Sequence, residues 1–154
     1  MVKRIFRAMI ALAAFSLFFP FYLSASQNMD ADAILGQWTT KNTKSVVTIF
    51  RNNDSYSMKI VWLKEPLQDN GAKKVDENNP DIEKQKTEII GLVIGSGFKF
   101  KEDNLWEDGQ IYDPDNGKTY SCKLTLDKEK LKVRGFIGFS LFGRTEIWQK
   151  KSEN

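Results

Sequence analysis

The 154-residue chain contains no histidine and a single cysteine, Cys122. Without an imidazole, the Ser/His/Asp and Cys/His nucleophile systems are excluded, and so are the usual zinc sites. One thiol cannot close an internal disulfide, so the fold must stand on its hydrophobic core. Cys122 alternates with Tyr120, Leu124 and Leu126, which reads as a small buried hydrophobe rather than a catalytic thiol. Any catalysis would have to use Asp, Glu, Lys or Tyr alone, and no constellation of these stands out. The expectation is a protein that is not an enzyme, with no catalytic residue, no cofactor and no metal site.

Long apolar runs are scarce too, with one exception. Ala8 to Leu23 is apolar apart from Ser16 and Pro20, follows Lys3, Arg4 and Arg7, and precedes Ser24, Ala25 and Ser26. That is the pattern of an export signal over residues 1–25, cut after Ala25 or Ser26. The 16-residue run falls short of the ~20 residues of a spanning helix, and an uncleaved anchor is the alternative. No cysteine follows the small residues, which excludes a lipoprotein's lipid. The expected destination is the periplasm or the exterior, with the membrane met only through the export signal.

Charge of one sign is lacking as well. The chain has 23 Lys plus Arg against 20 Asp plus Glu, and three of the basic residues lie in the leader. The remainder is balanced and has no basic patch interleaved with aromatics, so nucleic acid is not an expected partner.

Residues 26–154 read as one domain in which the recurring period is two. Lys44–Phe50, Tyr56–Leu63, Glu88–Ile94, Trp106–Tyr112, Lys118–Leu126, Leu131–Ile137 and Arg144–Lys150 are short, rich in β-branched and aromatic residues, and bounded by turn signals. A short strand around Phe98–Lys101 would make eight. Asn52–Asp54, Gly95–Gly97, Asp113–Gly117 and Asp127–Lys130 are hairpin-sized breaks, so sequential strands should pair as an antiparallel meander. Tyr120, Cys122, Leu124 and Leu126 share one face, and so do Leu131, Val133, Gly135 and Ile137. One apolar face per strand suggests a sandwich or a closed barrel, and closure better removes exposed edges. The predicted class is therefore all-β, an eight-stranded closed meander.

Two helical pieces interrupt it. Asp30–Leu35 predicts a turn of helix. Asn79-Pro80-Asp81 predicts a helix start with Asn79 as cap, continuing through Lys86. The charged connection of about residues 64–79 has no apolar periodicity and is expected to be a mobile flap over one barrel mouth.

Gly36-Gln37-Trp38 resembles the Gly-x-Trp signature of lipocalins and other calycins. There the tryptophan closes the barrel base and an arginine from the last strand lies across it. Arg144 is the implied counterpart, with Arg134 as the alternate. Further motifs extend the likeness from Ile34 to Lys150: Ile60–Lys64 with Pro66, Asn79–Asp81, Gly91-Leu92, Trp106, Gly109, Ile111–Pro114, Gly117–Tyr120, Leu131–Gly135 and Gly138–Arg144. In this order they are similar to the bacterial family named domain of unknown function 2147. The resemblance implies an exported lipocalin-like barrel binding a small apolar ligand. Many family members carry two cysteines at positions that correspond here to Asn52 and Ser57, so the first hairpin is expected to be looser.

Site candidates follow from that implied cavity. Ile60, Trp62, Leu92, Ile94, Tyr120, Leu124, Val133 and Ile137 would line it, and Arg134 or Arg144 could pair with an acidic head group. The cargo would be a fatty acid or another envelope lipid. The alternative is a filled barrel acting as an envelope interaction module without a ligand. Tyr112, Asp113 and Asp115 stand together but fit a type I turn ending at Gly117 better than a cation site. Val133–Trp148 offers no helix after its glycines, which excludes a phosphate loop. It reads as two strands meeting at a tight turn between about Phe136 and Gly143, with glycines at 135, 138 and 143 for sharp coil or close approach.

Overall fold

The computed structural model describes residues 30–152, so the expected export signal lies outside the described residues. Eight antiparallel strands close into a barrel in sequence order. They are β1 (Gly36–Thr39), β2 (Ser45–Asn52), β3 (Ser55–Leu63), β4 (Val93–Phe100), β5 (Leu105–Asp113), β6 (Lys118–Asp127), β7 (Lys130–Phe136) and β8 (Arg144–Lys150). In such a meander the β1–β2, β3–β4, β5–β6 and β7–β8 connections share one end of the barrel, called the upper end below. Closure depends on a short ladder, Trp38 opposite Lys150 and Thr39 opposite Gln149.

The alternating pattern produces the core directly. Cys122 and Leu124 of β6 and Leu131 and Val133 of β7 are buried, while Ser121 and Lys132 face solvent. Trp38, Met58, Phe98 and Trp106 are completely buried among them. Burial raises the Cys122 thiol to about 12, far from the range of a reactive thiolate.

Three local expectations are corrected. Gly95–Gly97 is not a turn: it lies inside β4, and Gly36–Thr39 is the remaining strand. Gly95 is there to make room, because a Cβ would sit 2.5 Å from Met58 Cγ, and Gly97 has φ +78°. The helix through Lys86 is only a 3-10 turn, Ile82–Lys84, capped by Asp81, whose carboxylate accepts from the Glu83 N–H at 3.1 Å. Asn79 instead accepts from the Asp81 N–H at 2.9 Å, an Asx turn that competes with helix. The helical turn expected at Asp30–Leu35 is present, as a 3-10 turn over Ala31–Ile34.

The connection between β3 and β4 is tied down rather than a free flap. Asp76 is completely buried; it accepts from the Tyr112 hydroxyl at 2.7 Å and from Asn79 Nδ2 at 2.6 Å. Asn78 Nδ2 donates to the carbonyls of Pro114 and Asp115 at 3.1 and 3.2 Å. Gly117, at φ +69°, allows this contact: a Cβ there would lie 2.0 Å from the Asn78 carbonyl oxygen. Ile89 of the same connection enters the core. Polar anchors and one apolar plug thus cover the upper mouth.

Candidate functional site

The residues proposed to line a cavity divide into three groups. Ile60, Ile94, Leu124 and Val133 do converge, as members of the packed core, and Leu92 lies against them. Tyr120 is half-buried at the upper rim, its hydroxyl accepting from Asn116 Nδ2 at 3.2 Å. Trp62 and Ile137 are not inside: they are 43% and 71% exposed. For Trp62 the cause is a β-bulge. Val46 opposes Trp62 while Val47 opposes Ile60, so Val61 is an extra residue that reverses the phase of β3. Ile137 lies beyond the end of β7 at Phe136.

Neither arginine takes its expected place. Arg134 points to the outside of the wall and spends its donors on the β7–β8 connection and the start of β8: Nε to the Ser140 carbonyl at 2.8 Å, Nη2 to the Leu141 carbonyl at 3.1 Å, and Nη1 to Thr145 Oγ1 at 2.8 Å. The Arg144 side chain is 80% exposed and, among the described residues, pairs with Glu146 at 3.4 Å. The cation across Trp38 is Lys150, with Nζ 5.4 Å from the ring centroid and 3.2 Å from the Ala33 carbonyl. The ladder explains the exchange, since Lys150 lies opposite Trp38 and Arg144 opposite Gly135.

The lower end is sealed around that tryptophan. Trp38 Nε1 donates to the Ile34 carbonyl at 2.8 Å and Trp106 Nε1 to the Ala31 carbonyl at 3.1 Å. The Tyr56 hydroxyl donates to Asp32 at 2.7 Å, and Arg51 pairs with the same carboxylate. These contacts hold Asp32 below the usual carboxylate range, the Tyr56 hydrogen bond leading. Burial first, then the bond to Asp32, pushes Tyr56 up to about 12. At the other end, burial and then the bond to Asp76 push Tyr112 up to about 12 as well. In the first hairpin, where the resemblance implies a bridge, Asn52 Nδ2 donates to Ser57 Oγ at 3.2 Å.

The Asp113–Gly117 stretch is a turn, as its composition predicts. Asp113 accepts from the Asp115 N–H at 3.0 Å and from Asn116 Nδ2 at 2.8 Å, and Asp115 pairs with Lys44. Inside the barrel, the Phe98 ring fills the space where Gly109 has no Cβ. Two open depressions lie on the outer wall. One, of about 430 Å³, runs over Gln110, Ser121, Lys123, Phe136 and Phe139; the other, of about 360 Å³, lies beside Val46, Trp62 and Lys151.

A lipocalin-like barrel with these motifs in this order has a counterpart among known families. The family model described as an uncharacterized protein conserved in bacteria, DUF2147, matches residues 36–150. The chain belongs to the DUF2147 family. No curated protein matches this DUF2147 chain. Among solved structures it is similar to protein HP1028 from Helicobacter pylori, described as belonging to the lipocalin family. The identity is 21%, the TM-score 0.68, and the match covers 78% of this chain and 84% of the other. At that identity the likeness shows the fold, a lipocalin-like closed barrel.

The feature that pattern reading missed is the β7–β8 tip. Phe139, Leu141 and Phe142 are at least 80% exposed. Their signal was the apolar density of residues 136–142 itself, which was assigned to turn and wall.

Proposed function

We propose that this DUF2147 protein is exported and acts through its outer surface, as a filled-barrel interaction module of the cell envelope. The observation that carries the reading is the packing of Ile60, Ile94, Leu124 and Val133, four of the positions a cargo would need, into one core with Phe98 and Trp106. Both ends are covered, by the Asp76 lock above and the Trp38 seal below. The leader-like segment, with its basic start and small-residue end, supports export.

The lipocalin-like fold also suits a lipid carrier, and the two readings separate cleanly. Native mass spectrometry of the protein as its host exports it, followed by solvent extraction, should give an unliganded mass whose N-terminus lies at Ser26 or Gln27. A stoichiometric lipid-sized adduct would overturn the filled-barrel reading, and an intact leader on protein from the exported fraction would overturn the cleavage site.

A further inference from the structure

The seam between β1 and β8 is closed along only part of its length. Its ladder sets Trp38 opposite Lys150 and Thr39 opposite Gln149. There β1 ends, and the chain turns through Lys41–Thr43 with Asn42 and Thr43 at φ +59° and +53°. Beyond Gln149, toward the upper end, β8 is laddered to β7 on one side and to no strand on the other. We propose that this open edge pairs with the same edge of a second copy of the chain, two β8 strands running antiparallel about a two-fold axis at Thr145. Such an interface does not depend on whether the barrel holds cargo.

The phase of β8 shows which backbone groups are free. The Lys150 N–H donates to the Glu129 carbonyl and the Lys151 N–H to the Gln37 carbonyl, both at 2.9 Å. Backbone groups alternate sides along a strand, so Arg144, Glu146 and Trp148 turn theirs to β7, while Thr145 and Ile147 turn theirs to the β1 side. Among the described residues, no backbone hydrogen bond from that side reaches Thr145 or Ile147, and the adjacent Lys41–Thr43 turn offers none. Gly143, extended at φ −100° and ψ 166°, continues the alternation. The side chains of Thr145 and Ile147 are exposed. From Gly143 to Ile147 there is no proline, lysine or bulge, devices that blunt many natural edges.

The residues of this edge select both the occupant and the register. With Thr145 opposite Thr145 of the second copy, Gly143 of each chain faces Ile147 of the other, and every free N–H and C=O of the three residues gains a partner. Between those rungs Arg144 lies opposite the second copy's Glu146, twice over. Within one chain the same two side chains are 3.4 Å apart, so four charges alternate in sign around the axis, an arrangement that favours cross-strand pairing. Moving the axis to Arg144 or to Glu146 sets like charges face to face. Placing it at Glu146 also brings Gly143 opposite Gln149, which Thr39 already occupies. A foreign peptide would have to supply this complement, whereas β8 contains it.

The test uses the protein as its host exports it, followed by sedimentation velocity over rising concentration. The parent should pass from monomer to dimer. Thr145→Pro removes an N–H that makes no backbone bond within one barrel, a change an edge strand tolerates, and should abolish the dimer while far-ultraviolet circular dichroism is unchanged. Arg144→Glu and Glu146→Arg each set like charges across the axis, and each should weaken association roughly tenfold. Mixed in equal amounts, these two variants meet with opposite charges at every facing position, so a one-to-one heterodimer should form at concentrations where each alone is a monomer; native mass spectrometry resolves it by mass. A parent that stays monomeric up to about 1 mM, the weak end of measurable association, would overturn the proposal. So would a dimer indifferent to Thr145→Pro, or a mixture without the heterodimer. A lipid adduct in the native mass spectrum would overturn the filled barrel and leave this interface standing.

Discussion

Phe98 and Gly109 share one volume inside the barrel. A Cβ on Gly109 would lie 2.1 Å from a ring carbon of Phe98, and Phe98 is itself fully buried between β3 and β5. Gly109→Ala must therefore displace the ring, and the expected loss is about 1–3 kcal/mol, typical of overpacking. Urea midpoints measure it, with an unchanged slope showing that the unfolded state is unaffected. Gly135→Ala is the control: its Cβ would make ordinary contacts, 3.7 Å to Tyr120 and 3.8 Å to Ile111, and should cost less than about 0.5 kcal/mol. A larger loss at Gly135 than at Gly109 would contradict the packing described. At this scale the sequence was least legible. Gly95 and Gly109 are glycines because of side chains distant in the chain, and their neighbours in sequence carry no trace of Met58 or Phe98.

Among the elements, β1 is the weak member. It has four residues and only a two-residue ladder to β8, extended by the Lys151 N–H donating to the Gln37 carbonyl at 2.9 Å. By contrast, β6 is laddered along its length to β5 and β7. Local opening should follow that difference. In native-state hydrogen exchange the Lys151 amide should exchange well before the amides of β6, while the Asp76 amide, held by the Thr87 carbonyl at 2.9 Å, should be protected. Fast exchange across residues 76–79 would restore the mobile flap. Strands β2, β3 and β5 to β8 were legible because period-two alternation states both the element and its inward face. The phase reversal in β3 was not, since a bulge at Val61 depends on how Val46 and Val47 meet it.

For the molecule as a whole, both closures depend on a tyrosine that must stay protonated. Tyr56 at the lower seal and Tyr112 at the upper lock are each raised from 10 to about 12. Above pH 10 the unfolded chain releases these protons while the folded chain keeps them. The folded state then binds more protons, so stability falls as pH rises. Their contribution is fully present below pH 10 and lost between 10 and about 12. Thermal midpoints measured across that window should drop, and the drop should be shallower in Tyr112→Phe. Identical slopes in parent and variant would show that Tyr112 does not couple to closure. That variant also leaves the buried Asp76 with one donor fewer, at a cost of about 1–3 kcal/mol near neutrality.

Local physics, written into the chain residue by residue, determined the class of this protein. Alternating apolar side chains require a sheet with one buried face, hairpin-sized breaks require a meander, and a lone cysteine without histidine removes whole families of chemistry. The Gly36-Gln37-Trp38 signature and the motifs after it were enough to indicate the DUF2147 family. Which cation covers Trp38, whether Trp62 faces in or out, and which side chain occupies the space beside Gly109 were decided only by tertiary structure. Each depends on register between strands distant in the chain: Lys150 rather than Arg144 lies opposite Trp38, an unpaired Val61 turns Trp62 outward, and Phe98 fills the space that Gly109 leaves. The exposed tip follows from the same cause, because β7 ends at Phe136 and leaves the next apolar residues beyond the last rung of the sheet.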